Sequence, residues 1–378
     1  MKNNHFLSIL CSALALTSCS HSATVSNGGT VKVNLNDEIP LEELNKVLEI
    51  DSVIPLRTGD SCAMRQPSKV IYRGQDIYLH DWFAKCIYKY NVKDGTFRQI
   101  INQVGHASNE YTNIDDFNLD DEQRIYLLDS SEGKVMVFDN EGNHLRNFKK
   151  VTWGNALAIL PDKGFAIIAN HFNRESLVTA YSPEGKALYT TPPSEIAINW
   201  SSMTKGNIMA HGDEYIFGAQ FDNNIYRTKS AEPSVMVTFD YGDMNCDPAK
   251  AADALDYTKG QINFDEVTKK VSFTDNFCLY EQYFTFRGGQ YSIIYDTEQH
   301  SALALSQISY PYCSLFSEPL AVSPEGNFCV PIFSSQLTGN FFQSDACKDV
   351  PYINHTAEEY KAYEYCLVLG HFKARDKK

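Results

Sequence analysis

Asp115-Asp-Phe-Asn-Leu-Asp-Asp-Glu-Gln-Arg-Ile-Tyr-Leu-Leu-Asp129, Ser130-Ser-Glu-Gly133, Lys134-Val-Met-Val-Phe-Asp139, Asn140-Glu-Gly142 and Asn143-His-Leu-Arg-Asn-Phe148 follow one another without a break. Short runs rich in β-branched and aromatic residues alternate with Asp, Asn, Ser and Gly turns, the pattern of an antiparallel meander. The same theme returns at Val70–Gly105, Ala156–Thr191, Met203–Gly242 and Phe277–Tyr310, and from Leu320 onward. Taking the second strand of each copy as anchor gives Ile77, Ile125, Phe165, Tyr215, Tyr283 and Phe328, at separations of 48, 40, 50, 68 and 45 residues. Units of three to four strands at this period cannot bury both faces alone and stack radially. The expected fold is therefore all-β: a six-bladed β-propeller with four-stranded antiparallel blades. A β-sandwich array would not keep the period, and a solenoid would have a shorter one.

The last unit supplies only three strands, around Leu320, Phe328 and Cys366, while Val47–Leu56 is a strand pattern with no partner before the first blade. Placing this N-terminal strand at the outer edge of the last blade closes the ring. Two insertions interrupt the period. Asp247-Pro248 followed by helix formers to Leu255, and the capping box Thr356-Ala-Glu-Glu359 leading to Tyr365, predict two short helices on loops.

The 378 residues carry 33 basic against 47 acidic side chains, a formal charge of −14. With 43% hydrophobic residues the chain has an ordinary globular composition. The charge disfavours nucleic acid and electrostatic adhesion to anionic lipid.

The N-terminus reads as a secretory signal: Lys2, then an apolar run from Phe6 to Leu16, with no acidic residue before Asp37. The run is too short to span a bilayer. Leu16-Thr17-Ser18-Cys19 resembles the lipobox of bacterial lipoproteins, which implies cleavage after residue 18 and acylation of Cys19. Ser20, not Asp, follows the cysteine; by the same resemblance this implies the outer membrane, and the lack of an acidic cluster there implies a periplasm-facing protein. The expected organisation is a signal at 1–18, a flexible tether at 19–39, the propeller at 40–373 and a polar tail at 374–378. The expected partners are the membrane, through the lipid on Cys19, and an unidentified envelope protein, peptide or glycan.

Eight cysteines remain in the mature chain: Cys62, Cys86, Cys246, Cys278, Cys313, Cys329, Cys347 and Cys366. None forms a C-x-x-C pair. Cys278, Cys329 and Cys366 lie in apolar strand patterns, where a free thiol behaves as a small core residue. If a bridge exists, Cys313 and Cys347 in loop-like contexts are the better pair.

Gly105 to Tyr111, Ile114-Asp-Asp-Phe117, Ile125-Tyr-Leu-Leu-Asp129, Phe138-Asp-Asn-Glu-Gly142 and Leu367-Val-Leu-Gly-His-Phe-Lys373 resemble the six-bladed β-propeller lipoproteins of gut anaerobes, related to NHL-repeat propellers. The resemblance covers nearly the whole mature chain. It implies architecture and an envelope location rather than a chemistry. Of that family's Gly-Pro-Gly-Glu-Tyr segment this chain keeps Gly105, Glu110 and Tyr111.

No nucleophile elbow, P-loop, dinucleotide fingerprint or H-E-x-x-H occurs, and His355-Thr-Ala-Glu-Glu359 has the wrong spacing. Asp116-x-Asn118-x-Asp120 mimics a calcium loop but lacks its glycine and its closing glutamate. No cofactor is expected, with calcium the remote exception. Propeller enzymes such as lactonases and amidating lyases gather metal ligands from several blades around the axis. His80, His106, His171 and His211 are the candidates for that arrangement, which makes a metal-dependent hydrolase or lyase the alternative to a non-catalytic binding or scaffold module. Binding residues are expected on the face carrying the second-to-third strand loops and the blade-to-blade loops. They are His80, Asp81, Trp82, Tyr111, His171, Arg174, Gln220, Asp222 and Arg287.

Overall fold

The computed structural model describes residues 28–35, 44–57, 64–65, 67–169, 176–193, 206–256, 263, 265–304, 320–336 and 363–373. The chain opens with β1 (Gly29–Lys32) and β2 (Leu48–Pro55). Blade one is β3 (Pro67–Arg73), β4 (Asp76–Asp81), β5 (Cys86–Asn91) and β6 (Phe97–Ile101). Blade two is β7 (Asp116–Leu119), β8 (Ile125–Asp129), β9 (Lys134–Phe138) and β10 (His144–Lys149). Blade three is β11 (Ala156–Ile159), β12 (Phe165–Ile168), β13 (Val178–Tyr181) and β14 (Ala187–Thr190). Blade four is β15 (Ile208–His211), β16 (Glu214–Gly218), β17 (Asn224–Thr228) and β18 (Ser234–Asp240). The helices α1 (Pro248–Ala254) and α2 (Asp265–Thr268) precede blade five, which is β19 (Thr274–Tyr280), β20 (Tyr283–Gly288), β21 (Tyr291–Asp296) and β22 (Ser301–Ala304). Blade six holds β23 (Ala321–Val322), β24 (Asn327–Phe333) and β25 (Tyr365–Phe372).

Each blade is an antiparallel meander, and all six sequence anchors fall in second strands. β2 pairs antiparallel with β25, from Leu48 opposite Phe372 to Pro55 opposite Cys366, so the N-terminal strand completes the sixth blade as expected. Six hydrophobic clusters sit one at each blade junction, and a seventh, smaller one packs α1 and α2 through Phe221, Cys246, Ala251, Leu255 and Val267. Ile87, Phe117 and Phe138 join blades one and two, and Leu128, Phe165 and Tyr181 join two and three. Ile168 and Phe217 join three and four, and Phe239 and Phe286 join four and five. Tyr283 and Phe328 join five and six; Tyr88, Cys329 and Leu367 join six and one.

Turn chemistry repeats where the sequence repeats. Ser182-Pro-Glu-Gly185 and Ser323-Pro-Glu-Gly326 occupy different hairpins, yet each serine Oγ accepts from the backbone two and four residues on, at 3.2–3.3 Å, and each glycine lies at φ +80° or +84°. A side chain there would be strained.

One difference from the sequence reading stands out. Gly29–Lys32, inside the stretch expected as tether, forms a fifth strand on blade four, parallel to β18, with Gly29 opposite Val237 and Lys32 opposite Asp240. Val31, Val33 and Leu35 are buried in the blade four–five cluster. Of the two expected helices, α1 is present with Asp247 as its cap, accepting from the Ala249 and Lys250 amides at 3.0 and 3.2 Å, and Pro248 at N1. The second, from Thr356, lies outside the described residues.

Cys86, Cys246, Cys329 and Cys366 are buried free thiols and Cys278 is half-buried and free; Cys62, Cys313 and Cys347 lie outside the described residues. Burial raises the Cys246, Cys278 and Cys366 thiols from 9.0 to about 11 and Cys329 further still. Such groups prefer the neutral form in the folded state. Their stabilisation is full below pH 9 and declines as the pH rises from about 9 toward 11. Alkylation mapped by mass spectrometry is expected to leave these four cysteines unmodified at pH 8 in native protein and to modify them in urea, and the urea midpoint is expected to fall between pH 9 and 11. Ile50→Ala, in the closing strand at 2% exposure, is expected to cost ~2–5 kcal/mol in urea unfolding. Leu188→Ala, at 60% exposure, is expected to shift stability by less than about 0.5 kcal/mol.

Candidate functional site

The inner strand of each blade runs along the axis, from the blade-to-blade loops toward the first hairpin turn. At the blade-to-blade end the axis is filled. The Lys69 ammonium of β3 donates to both carboxylate oxygens of Asp116 on β7, at 2.9 and 3.0 Å, and Asp116 Oδ2 also accepts the Leu157 N–H of β11 at 2.8 Å. Asp116 is fully buried and Lys69 nearly so, with the ammonium 5.7 Å from the Phe117 ring centre. One ion pair therefore ties three inner strands together. His80 is fully buried beside it in register, paired across the hairpin with Lys69, its Nδ1 2.8 Å from Ser68 Oγ.

Toward the other end the strands leave a cavity of about 350 Å³ lined by all six inner strands. Lys69 bounds it on blade one, and it runs down past Tyr72, Leu119, Ile159, Ile208 and Phe277 to the first-hairpin turns at Asp121, Pro161, Gly212 and Pro324. Its walls mix aliphatic side chains with polar groups, among them Asn118, Asp120, Asp121 and Asn276. A register shift in β19 between Asp275 and Cys278 brings the bulge residues Asn276 and Phe277 to the lining, with Asn276 at φ 54°.

The polar groups of the lining are mostly engaged within the protein. Asn118 donates to the Leu157 carbonyl at 3.0 Å, and Ser323 holds its own turn. Asp120 accepts from Arg124 Nε at 2.7 Å and lies 2.6 Å from its Nη2. Arg73 stands apart from these. Its Nε is shut from water and meets no hydrogen-bond acceptor. Asp76, opposite it across the hairpin, lies 3.2 Å from Lys89 and 3.3 Å from Arg98, and its Oδ1 likewise has no hydrogen-bond partner.

None of the sequence-derived candidates among the described residues lines this cavity. Asp81 is fully buried and ties a turn to a linker: the Phe83 and Ala84 amides donate to Oδ1 at 3.0 and 2.9 Å, and the Arg65 amide to Oδ2 at 2.5 Å. Asp129, its counterpart in the next copy, does the same with the Glu132 amide at 3.3 Å and the Thr112 amide at 2.8 Å. Trp82 is half-buried, edge-on to exposed Phe83 with ring centres 5.1 Å apart. Tyr111 is fully buried, and its hydroxyl donates to the Lys85 and Ile101 carbonyls at 2.9 and 3.0 Å. Burial pushes that phenol well above its usual range.

Gln220 is buried, and Asp222 accepts from the Asn224 amide at 2.9 Å and the Tyr226 hydroxyl at 2.5 Å. Arg287 forms a two-pronged pair with buried Asp275, at 2.8 and 2.6 Å. His171 and Arg174 lie outside the described residues. His80 and His211 stand at opposite ends of their blades, the first opposite Lys69 and the second opposite Glu214 at the first hairpin, and His106 is exposed 3.7 Å from Glu132. Among the described residues no three His, Cys, Asp or Glu side chains gather as a metal site would require. The calcium-like carboxylates Asp116 and Asp120 are engaged by Lys69 and Arg124.

Sequence reading overlooked Lys69 and Arg73. A signal for them exists: they are the only lysine or arginine in the six described inner strands.

Residues 22–311 match the family model described as 6-bladed beta-propeller, DUF5128. The chain belongs to this six-bladed β-propeller family. Within the DUF5128 fold, β23, β24 and β25 lie beyond the matched stretch and complete the ring. Among solved structures, the chain is similar to a Bacteroides fragilis protein described as exported, with TM-score 0.64 and 15% identity over 91% of this chain and 99% of that one. A DUF4221 member from Bacteroides vulgatus has TM-score 0.50 and 10% identity, over 87% and 98%. The WD40 repeats of RRP9 have TM-score 0.50 and 11% identity, over 86% and 100%. These likenesses are of fold. No functionally curated protein matches the chain significantly.

Removing one partner of a buried ion pair strands the other. Lys69→Met is expected to lower the unfolding free energy by ~3–5 kcal/mol. Lys69→Met with Asp116→Asn, which keeps an acceptor for the Leu157 amide, is expected to recover most of that loss. Urea titrations of the two variants check the coupling.

Proposed function

We propose that this DUF5128 propeller is an envelope lipoprotein, anchored through Cys19 in the outer membrane and facing the periplasm, that works as a non-catalytic binding module. The observation that carries the reading is the axial cavity lined by all six blades. A volume of about 350 Å³ is at the small end of ligand pockets. It suits a small molecule, or one side chain, chain terminus or sugar unit of a larger envelope partner.

The polarity of β1 adds an orientation. Because β1 is parallel to β18, its Gly29 end lies toward the third-to-fourth strand turn of blade four. In a meander that turn shares a face with the first-hairpin turns, where the cavity has its mouth. A chain of nine residues from Cys19 to Gly28 spans at most ~30 Å. The tether therefore favours a propeller that turns its cavity mouth or the rim of blade four to the membrane. The protein's negative charge opposes close adhesion, so the short tether sets the separation.

Cys19→Ala is expected to abolish incorporation of radiolabelled palmitate and to move the protein from the outer-membrane fraction to the soluble periplasmic fraction. Continued membrane association of that variant would sink the anchoring reading.

A further inference from the structure

The net charge of −14 is spread unevenly over the ring. Around the cavity mouth, five of the six first-hairpin turns carry exposed acids: Asp121 and Glu122, Asp162, Asp213, Glu281 and Glu325. The cations on these turns, Arg124 and Lys163, both pair with Glu122.

The outer rim of blades two and three has the opposite sign. Residues 142–161 hold no acid in a chain where 47 of 378 residues are acidic, and within them β10 and the residue after it bring Arg146, Lys149 and Lys150 to the surface. Lys186, just before β14 of blade three, is a fourth. All four are exposed, and none has an ion-pair partner among the described residues. The two outer strands meet. Gly185 lies so close to the Phe148 ring of β10 that no Cβ would fit, and the Arg146 guanidinium covers the same ring at 4.7 Å. Exposed apolar side chains accompany the cations: Leu145 on β10 at 50%, Trp153 in the loop after it at 44%, and Leu188 on β14 at 60%.

A charge in water at physiological salt is felt over about 8 Å, so a membrane meets the face turned toward it and not the net charge. Lysine and arginine stems reach outward from a rim, and single Leu and Trp side chains enter a headgroup layer. We propose that the outer rim of blades two and three is a docking surface for anionic phospholipid of the membrane that carries the protein. The inference rests on the reading of the chain as a Cys19-anchored lipoprotein and selects among the orientations its tether allows. The acidic mouth is repelled, and the basic rim is drawn down. β1 roots the tether on blade four, which packs against blade three, so the anchor delivers this side of the ring to the bilayer. The cavity mouth then stays open to solvent.

The test uses the mature chain without its acyl group, carrying Cys19→Ala, in co-sedimentation with vesicles of phosphatidylcholine alone or with about a third phosphatidylglycerol. At about 0.05 M salt the anionic vesicles are expected to bind about tenfold or more tighter, and at about 0.5 M the preference is expected to vanish. Lys149→Glu with Lys150→Glu is expected to remove most of the preference, and Lys186→Glu alone to lower it about fivefold. Lys93→Glu, an exposed lysine at a turn of blade one, is expected to leave it unchanged. These positions are solvent-exposed, and an unchanged urea midpoint verifies that each variant folds.

Equal binding to both vesicles, or a preference that survives the rim substitutions, overturns the proposal. Tighter binding to poly-L-glutamate than to anionic vesicles of matched charge assigns the rim to an acidic polypeptide and overturns it too. Palmitate labelling at Cys19 reads the anchor separately, so either reading can fail while the other stands. A few cations hold weakly at physiological salt, and the unacylated chain is still expected in the soluble fraction.

Discussion

Everything in this structure depends on the pairing of β2 with β25. The register joins residues more than three hundred positions apart, and beyond the ladder itself His371 lies 2.9 Å from Asp51 and Lys373 2.8 Å from Glu49. The Tyr365 hydroxyl adds a bond to the Arg65 carbonyl at 2.6 Å. Leu48, Ile50 and Val53 bring the apolar side of that strand into the junction between blades five and six. Without it blade six has three strands, an open edge, and a junction lacking part of its core. An open-ended stack of blades is free to splay, because each blade buries its faces only against its neighbours. Closure converts the junctions into mutual constraints. The entropy of joining distant segments grows only slowly with their separation, so a ladder of this length and its buried side chains outweigh it.

Closure also fixes the inner strands, and this is what produces two unlike ends on one axis. Where blades one to three meet, a buried ammonium, a buried carboxylate and a backbone amide satisfy one another and fill the space. Where the strands part toward their first turns, aliphatic and polar side chains together surround a cavity. The asymmetry follows from where polar residues sit along each inner strand, with Lys69 and Asp116 at the start of theirs and Arg73 at its end. It is a property of this sequence laid over a symmetric scaffold.

Much of this was legible in the sequence, for reasons that are local. Alternation and turn residues report a hairpin within ten to fifteen residues, so all six second strands, the Asp247-Pro248 helix start and the Ser-Pro-Glu-Gly turns could be read directly. The closing strand was legible by elimination, as a strand pattern without a partner and a blade lacking one. β1 was not legible. Gly28-Gly29-Thr30 has the composition of a linker, and only the edge of β18, some two hundred residues away, makes the segment a strand. Candidate residues failed for a related reason. Asp81 looked functional beside a turn, but its alignment with Asp129 in the next repeat shows both to be the same turn-tying device. Residues that recur at equivalent blade positions serve the repeat, whereas a departure from the repeat points elsewhere.

That distinction separates what the family confers from what this chain adds. Membership in a six-bladed propeller family fixes the fold, and that fold is shared at 10–15% identity by the Bacteroides structures. A shared fold does not specify a ligand. The residues of the inner strands lie close to the axis, and only some of them belong to the junction clusters. Val70 serves the junction with blade six and Phe117 the junction with blade two, and substitution at either changes stability first. Arg73 belongs to no cluster and closes no ion pair among the described residues.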